Sequence, residues 1–252
     1  MDRYLNLDPS RRRTICEHVA AQTGLAPASI EKDLWVCWTL RELFALPNLE
    51  GVLTFKGGTS LSKGWKLIQR LSEDVDVVID RRHLGFAVAN APDQPGISSK
   101  ERDRRLDALR ERCSAYIERE VCPTLQEHIQ RRMPRGARCT LESDPTDADG
   151  QTLLLGYPSE FSAESLGYLR PVVKIELGAR SDTEPVDLPA IRPYLADALA
   201  GGPELADFCV RTVAPTRTFW EKAMPLHEEA YRPVDTHVRP RLSRHYYDLW
   251  CL

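Results

Sequence analysis

The sequence predicts an α+β (α/β) fold, a small mixed β-sheet flanked by helices with a helical C-terminal part. Three observations carry this. Residues 52–80 read as strand, glycine turn, helix, strand, with Val52, Leu53 and Phe55 before Gly57-Gly58 and Val75, Val77 and Ile79 closing the unit. Residues 171–177 alternate Val173, Ile175 and Leu177 against Val172, Lys174 and Glu176, the period of a half-buried strand. Long segments on both sides repeat apolar residues at three- and four-residue steps, the helical period.

In chain order, residues 1–50 read as helical. Asp8-Pro9-Ser10 is a helix start, followed by Ile15, Val19 and Ala20 at helical spacing. A turn through Gly24 to Pro27 leads to Ser29 as an N-cap. A helix from about 30 to 46 follows, with Leu34, Cys37, Leu40 and Phe44 on one face. Glu31, Lys32 and Asp33 read as its charged first turn, acids favouring the dipole, with Lys32 able to reach a phosphate.

The central unit carries the chemistry. Gly57 and Gly58 let the backbone approach a bulky anion where a Cβ would collide. A helix from about Ser60 to Arg70, with Leu61, Trp65 and Ile68 in its stripe, would point its free N–H groups and the positive end of its dipole at that anion. Thr59, Ser60 and Ser62 add hydroxyls, and Lys56 and Lys63 flank the turn as cations. Asp74 and Asp76, two residues apart on a strand, share a face and can share a divalent cation. Hard cations such as Mg²⁺ or Mn²⁺ take carboxylate oxygens together with substrate phosphates. Each feature alone is common as a tight turn or a solvated strand edge. Together they predict a triphosphate site and a metal site side by side.

Residues 81–99 are rich in Gly, Pro and Asp and read as weakly structured. Residues 100–133 read as one long charged helix or two broken near Pro123. Its arginines are interleaved with acids, which favours a solvated face over an RNA-facing one. Strands are expected at 137–141, 152–157 and 171–177, with a hairpin loop at 144–150. Glu176 is either a third carboxylate beside Asp74 and Asp76 or, with Lys174, the wet face of an edge strand. Residues 181–207 read as loop and short helix, and 208–213 as a strand. The C-terminal region reads as two helices, TRTFWEKAMPLHEEAYR and RLSRHYYDLWCL, around a polar loop at 233–240. Lys222 is either a phosphate-holding cation or an exposed helix lysine paired with Glu221. Asp248 lies among Tyr246, Tyr247, Leu249 and Trp250, where an unpaired carboxylate would be costly, and Arg244 is the helical partner four residues earlier. The domain reading is an N-terminal core over 1–180 and a mainly helical region over 181–252 completing the cleft.

Composition bounds the function. A chain of 252 residues, 42% hydrophobic and 28% charged, is long enough to bury a sizeable core. No apolar run approaches the ~18 residues of a membrane span, and the first residues lack the apolar stretch of a secretory signal. Seven scattered cysteines without a C-x-x-C pair suggest neither zinc ribbon nor disulfide framework, and fit a reducing cytoplasm. With a net charge of −3, any nucleic-acid contact must be local.

The wording FKGGTSL…RLSEDVD resembles the nucleotidyltransferase superfamily, and more narrowly the AbiEii/AbiGii-type toxins of abortive-infection and toxin–antitoxin systems. Fifteen residues separate Gly58 from Asp74, slightly long for the superfamily and ordinary for this branch. IEKDLWV resembles the segment common before the glycine motif, TFWEKAMPLH the Thr-Phe-x-Glu-Lys motif, and SRHYYDLWCL the arginine-x-x-x-Asp-leucine motif. The resemblance runs from about Glu31 to Leu252. The chain stops just beyond the last motif where relatives usually continue, as a shortened chain or a short homologue would.

The resemblance implies a nucleotidyltransferase-like fold and a metal-dependent transfer of nucleotides from a nucleoside triphosphate to RNA, at the tRNA 3′ end, releasing pyrophosphate. It implies a cognate antitoxin, encoded by the adjacent gene, as partner. It implies that Lys222 and Asp248 are needed for activity, with Asp248 as base or as organiser of Lys222 left open. In this reading Asp74, Asp76 and Glu176 hold the metal, and Lys56, Gly57, Gly58, Thr59, Ser60, Lys63 and Lys222 hold the phosphates. Two other readings stand beside it. One is a nucleotide-sugar-dependent glycosyltransferase using the same Asp-x-Asp. The other is a non-catalytic RNA-binding or regulatory module on a degenerate nucleotidyltransferase fold.

Overall fold

The computed structural model describes residues 1–167, 169–198, 205–233, 235–239 and 242–252. The N-terminal helices are α1 (Asp2–Leu5), α2 (Pro9–Thr23) and α3 (Pro27–Phe44). The side chain of Asp8 caps α2 by accepting from the Ser10 amide, as expected. α3 starts earlier than expected. Its cap is Ala26, and Pro27 sits in the first turn, where its missing N–H costs nothing. Ser29 is therefore a buried residue inside the helix and not its cap.

Glu31, Lys32 and Asp33 consequently fall within the helix and are 2%, 3% and 1% exposed. They are not a solvated first turn, because each is spent on a tertiary contact. Glu31 accepts from Ser159 Oγ and the Glu160 amide. Lys32 donates to the carbonyls of Arg170 and Val172 and pairs with Glu73 at 3.2 Å. Asp33 accepts from the Tyr194 amide at 2.7 Å and pairs with Lys63. Buried charges persist only when so partnered.

The sheet begins with β1 (Leu53–Lys56). A single turn, α4 (Gly57–Thr59), follows and opens directly into a π-helical turn over Ser60–Gly64. The expected helix to Arg70 is thus cut short. Lys66 takes a left-handed φ of 56° and the chain runs irregularly to β2 (Asp74–Ile79). Trp65 turns out of any helical stripe, its indole N–H donating to the Val213 carbonyl at 3.0 Å.

The expected long helix is α5 (Ser99–Tyr116) and α6 (Cys122–Arg132), joined by a π-helical turn over Ile117–Val121. Pro123 has no amide to donate, so the ladder widens just before it instead of breaking. β3 (Thr140–Ser143), β4 (Thr152–Gly156), α7 (Ala163–Leu166) and β5 (Val172–Gly178) come next. β3 starts and ends later than read from the sequence. β6 (Val186–Asp187), β7 (Ala190–Ile191) and α8 (Tyr194–Ala198) occupy the stretch read as loop and short helix, of which 199–204 lie outside the described residues. The expected strand at 208–213 is two, β8 (Phe208–Cys209) and β9 (Thr212–Val213). The chain closes with α9 (Pro215–Ala230) and α10 (Ser243–Cys251), which pack on each other. The polar loop read between them includes 234 and 240, and the second helix motif opens at 241, all outside the described residues.

Among the described residues the main sheet is mixed and seven-stranded, in the order β3-β4-β5-β2-β1-β9-β6, with β7 and β8 as a separate pair. β1 runs antiparallel to β2, and β2 parallel to β5, which pairs Asp76 with Glu176 and Asp74 with Lys174. Because β6 and β9 belong to this sheet, it runs on past residue 180. One face carries Val75, Val77, Val173, Ile175 and Leu177, all buried with Leu34, Trp35 and Trp38 of α3. The acids therefore stand on the opposite face. Trp35 stacks on Tyr157 at 5.1 Å and meets Trp38 edge-on at 5.4 Å, closing the core over the strands.

Candidate active site

The Gly57-Gly58 turn is held between two charged groups. Gly57 has φ +80°, a conformation glycine adopts without cost. A Cβ there would stand 1.9 Å from Asp76 Oδ2. A Cβ on Gly58 would stand 2.5 Å from a terminal nitrogen of Arg70. The turn thus has a carboxylate on one side and a guanidinium on the other, each where only a glycine leaves room.

On the acid side, Asp74 and Asp76 point from the same face of β2, with Glu176 beside Asp76 on β5. Burial, then repulsion from Glu176 and Asp74, pushes the Asp76 carboxyl up to about 7. Burial, Glu176 and Glu73 also raise Asp74, against Lys174 and Arg244. Glu176 Oε1 is 2.5 Å from Lys174 Nζ, and both are part-exposed neighbours of the Asp-x-Asp; the edge-strand expectation fails, because β5 is paired on both sides, with β4 and β2. Lys56, opposite Asp76 in the β1–β2 pair, eases the repulsion. It also contacts Ser181 at 3.1 Å and Glu221 at 3.5 Å.

On the cation side, Arg70 makes a two-pronged bond to Asp248, Nε to Oδ1 and Nη2 to Oδ2, both at 2.8 Å. Lys222 Nζ lies 3.4 Å from Oδ2 of the same carboxylate. Asp248 is fully buried. Burial alone would raise its pKa, but Arg70 and Lys222 outweigh that and hold it below the usual carboxylate range. Its partner is therefore Arg70, 178 residues away, and not Arg244. Arg244 is exposed and acts electrostatically on Asp74 instead. Tyr247 accepts from the Gln69 amide at 3.3 Å, tying α10 to the same irregular segment.

The remaining expected phosphate ligands lie elsewhere or are already engaged. Lys63 is buried against Asp33, its ammonium 3.2 Å from the centre of the Tyr194 ring. It props the turn from behind. Thr59 donates to the Asp74 carbonyl and lies 2.8 Å from Ser72 Oγ, and Ser60 donates to the Gly57 carbonyl. Both hydroxyls fasten the turn to β2 and to itself. Sequence reasoning missed Arg70, because its role depends on a partner in the last helix and no local spacing announces it.

The family model described as "Nucleotidyl transferase AbiEii toxin, Type IV TA system" matches residues 38–252. The chain belongs to this family. This family assignment agrees with the resemblance drawn from its motifs. No curated protein matches the chain. Among solved structures it is similar to MenT4, a nucleotidyltransferase toxin from Mycobacterium tuberculosis, at 20% identity and a TM-score of 0.41, over 91% of this chain and 66% of that one. The chain therefore spans somewhat under two thirds of the length of MenT4. No helix among the described residues is long and apolar enough to cross a membrane.

Proposed function

We propose that this AbiEii member transfers a nucleotide from a nucleoside triphosphate to RNA, at the tRNA 3′ end, and is neutralised by a cognate antitoxin. The supporting observation is the opposition of charges across one glycine turn. Asp76 borders Gly57, while Arg70, Asp248 and Lys222 form a chain bordering Gly58.

A triphosphate laid along this turn meets the amides of Gly57 and Gly58, with Arg70, Lys222 and Lys56 around it. Arg70 and Lys222 offset the charge that grows on departing pyrophosphate. Asp248 acts as organiser. With both oxygens committed and its pKa depressed, it is a poor base, and it fixes two cations that would otherwise repel.

The strand acids fit a divalent cation. Glu176 on the adjacent strand helps to raise the pKa of Asp74 and Asp76, and a cluster of carboxylate oxygens is what Mg²⁺ or Mn²⁺ binds. Among the described residues no three such side chains are already gathered as a metal cage, and Lys174 holds Glu176 Oε1. Asp74 and Asp76 would be the main holders, with Glu176 joining on release from Lys174. The bound cation would supply Lewis-acid stabilisation of the reacting phosphate.

The test is direct. Purified protein with Mg²⁺ or Mn²⁺ and each labelled nucleoside triphosphate is expected to label tRNA, and Asp76→Ala to lose both labelling and toxicity. Absence of labelling on any RNA, with Asp76→Ala as toxic as the parent, overturns the proposal. Turnover of nucleotide-sugars in place of triphosphates would favour the glycosyltransferase reading instead.

A further inference from the structure

A second hollow, of about 550 Å³, opens next to the Lys56–Glu221 ion pair. Lys56 lines the hollow of the strand acids and Glu221 lines this one, so a single ion pair separates the two. Its wall is apolar, built from Trp220, Met224 and Pro185. Trp220 is 66% exposed, although Phe219 meets it edge-on at 5.4 Å and holds its ring. A large ring left open to water beside a charged site is a surface waiting for a flat partner.

The polar end points the same way. Arg217 Nε and Glu221 Oε1 are both buried, have no hydrogen-bond partner and lie 3.7 Å apart. They form only a loose ion pair, beyond hydrogen-bond range, so both atoms keep hydrogen-bonding capacity for a ligand. An apolar stacking face with a donor and an acceptor at one edge matches a nucleobase, whose faces are apolar and whose rim carries both.

We infer that this hollow is the nucleobase subsite, with Trp220 stacking on the ring and Arg217 and Glu221 facing its edge. The inference rests on the nucleotidyl-transfer reading and deepens it. Ring and phosphates would then lie on opposite sides of Lys56. The base can belong to the incoming triphosphate or to the terminal nucleotide of the RNA acceptor. The chemistry recognised is the same.

Calorimetric titration of the full chain with Mg²⁺ separates the cases, using a non-hydrolysable nucleoside triphosphate, inorganic tripolyphosphate and a short oligoribonucleotide with a free 3′ end. The variants are Trp220→Ala and Trp220→Phe, with Trp250→Ala as control. Trp250 is 82% exposed and lies outside the hollow. Trp220→Ala should weaken one base-carrying ligand about tenfold, the scale of one base–aromatic stack, while tripolyphosphate changes less than twofold. Phe should restore most of the loss, and Trp250→Ala should have no effect. The ligand that responds identifies the source of the base. The inference is overturned if the parent protein binds the base-carrying ligands and Trp220→Ala leaves both within twofold. It is also overturned if tripolyphosphate weakens equally, or if the nucleotide binds no tighter than tripolyphosphate. A parent protein that binds none of the three refutes the transfer reading itself, and this subsite with it.

Discussion

Removing the Asp248 carboxylate should both destabilise the fold and disarm the cation pair, and the size of each effect follows from the geometry. Asp248 is fully buried and receives two 2.8 Å bonds from Arg70 and a 3.4 Å contact from Lys222. Deleting one partner of a buried ion pair costs about 3–5 kcal/mol, because the other charge is stranded. Here the stranded side chains are 20% and 14% exposed, so water relieves part of the penalty and the low end applies. At about 3 kcal/mol, a domain of this size should lose roughly 6–12 °C in Tm. Asp248→Ala, melted by circular dichroism at neutral pH, should show this drop, and Asp248→Asn a smaller one. The organiser role makes a kinetic prediction as well. Asp248→Asn should raise KM for the nucleotide along with lowering kcat, and should add little on an Arg70→Ala background, since both changes break one unit. A melting point within about 2 °C of the parent for Asp248→Ala would refute the energetic reasoning. A fall in kcat at unchanged KM, fully additive with Arg70→Ala, would make Asp248 a base.

Three further outcomes are expected. Gly57→Ala combines a left-handed φ of +80° with a Cβ 1.9 Å from Asp76, so it should cost about 1–2 kcal/mol in backbone strain and displace the acid. Gly58→Ala meets Arg70 Nη2 at 2.5 Å and Ser72 Oγ at 3.1 Å, so it should loosen the Arg70–Asp248 bond and weaken triphosphate binding, but without a left-handed φ it should destabilise less than Gly57→Ala. Equal melting points for the two variants would contradict this contrast. Asp76 is raised from 3.8 to about 7, so the folded state binds its proton more tightly than the unfolded chain. Its contribution to stability should therefore be largest below about pH 4 and decline as pH rises towards 7. The stability of the parent relative to Asp76→Asn should fall across that window, while the melting-point gain from added Mg²⁺ should grow. A flat difference would remove the coupled acids from the account. Finally, Lys63→Ala removes the cation paired with the Asp33 carboxylate, which is 1% exposed and keeps its bond from the Tyr194 amide. It should lower Tm by several degrees yet leave nucleotide KM unchanged, and a selective rise in KM would return Lys63 to the phosphate site.

What could be read from the sequence was what is local. Gly57-Gly58, the i, i+2 acids and the alternation around Glu176 are short-range patterns, and the sheet places them with neighbours only one strand away. What could not be read depends on distant partners. Lys63 looks like a phosphate ligand beside a glycine turn, but Asp33 on α3 and Tyr194 on α8 enclose it. Lys32 looks like a surface lysine until two carbonyls 138 and 140 residues away claim it. The Ser60–Arg70 helix has the right period, yet Trp65 finds a better partner in β9 and Arg70 in α10. Each error read as local or solvent-facing a polar group that the fold had already paired with a distant partner.

The same rule explains how the site is assembled. Charges near the glycine turn divide into those the fold satisfies and those it leaves in tension. Lys63–Asp33 and the Lys32 contacts belong to the first group and set the turn's position from behind. Asp74, Asp76 and Glu176 belong to the second, an anionic cluster whose mutual repulsion is only partly eased by Lys56 and Lys174. Arg70 and Lys222 are intermediate, two cations that share one carboxylate and so retain net positive charge. On the proposed function, a metal-bound triphosphate would relieve both tensions at once, cation to the acids and phosphates to the Arg70–Lys222 pair. Neither half would bind as well alone, so magnesium and nucleotide should each tighten the binding of the other.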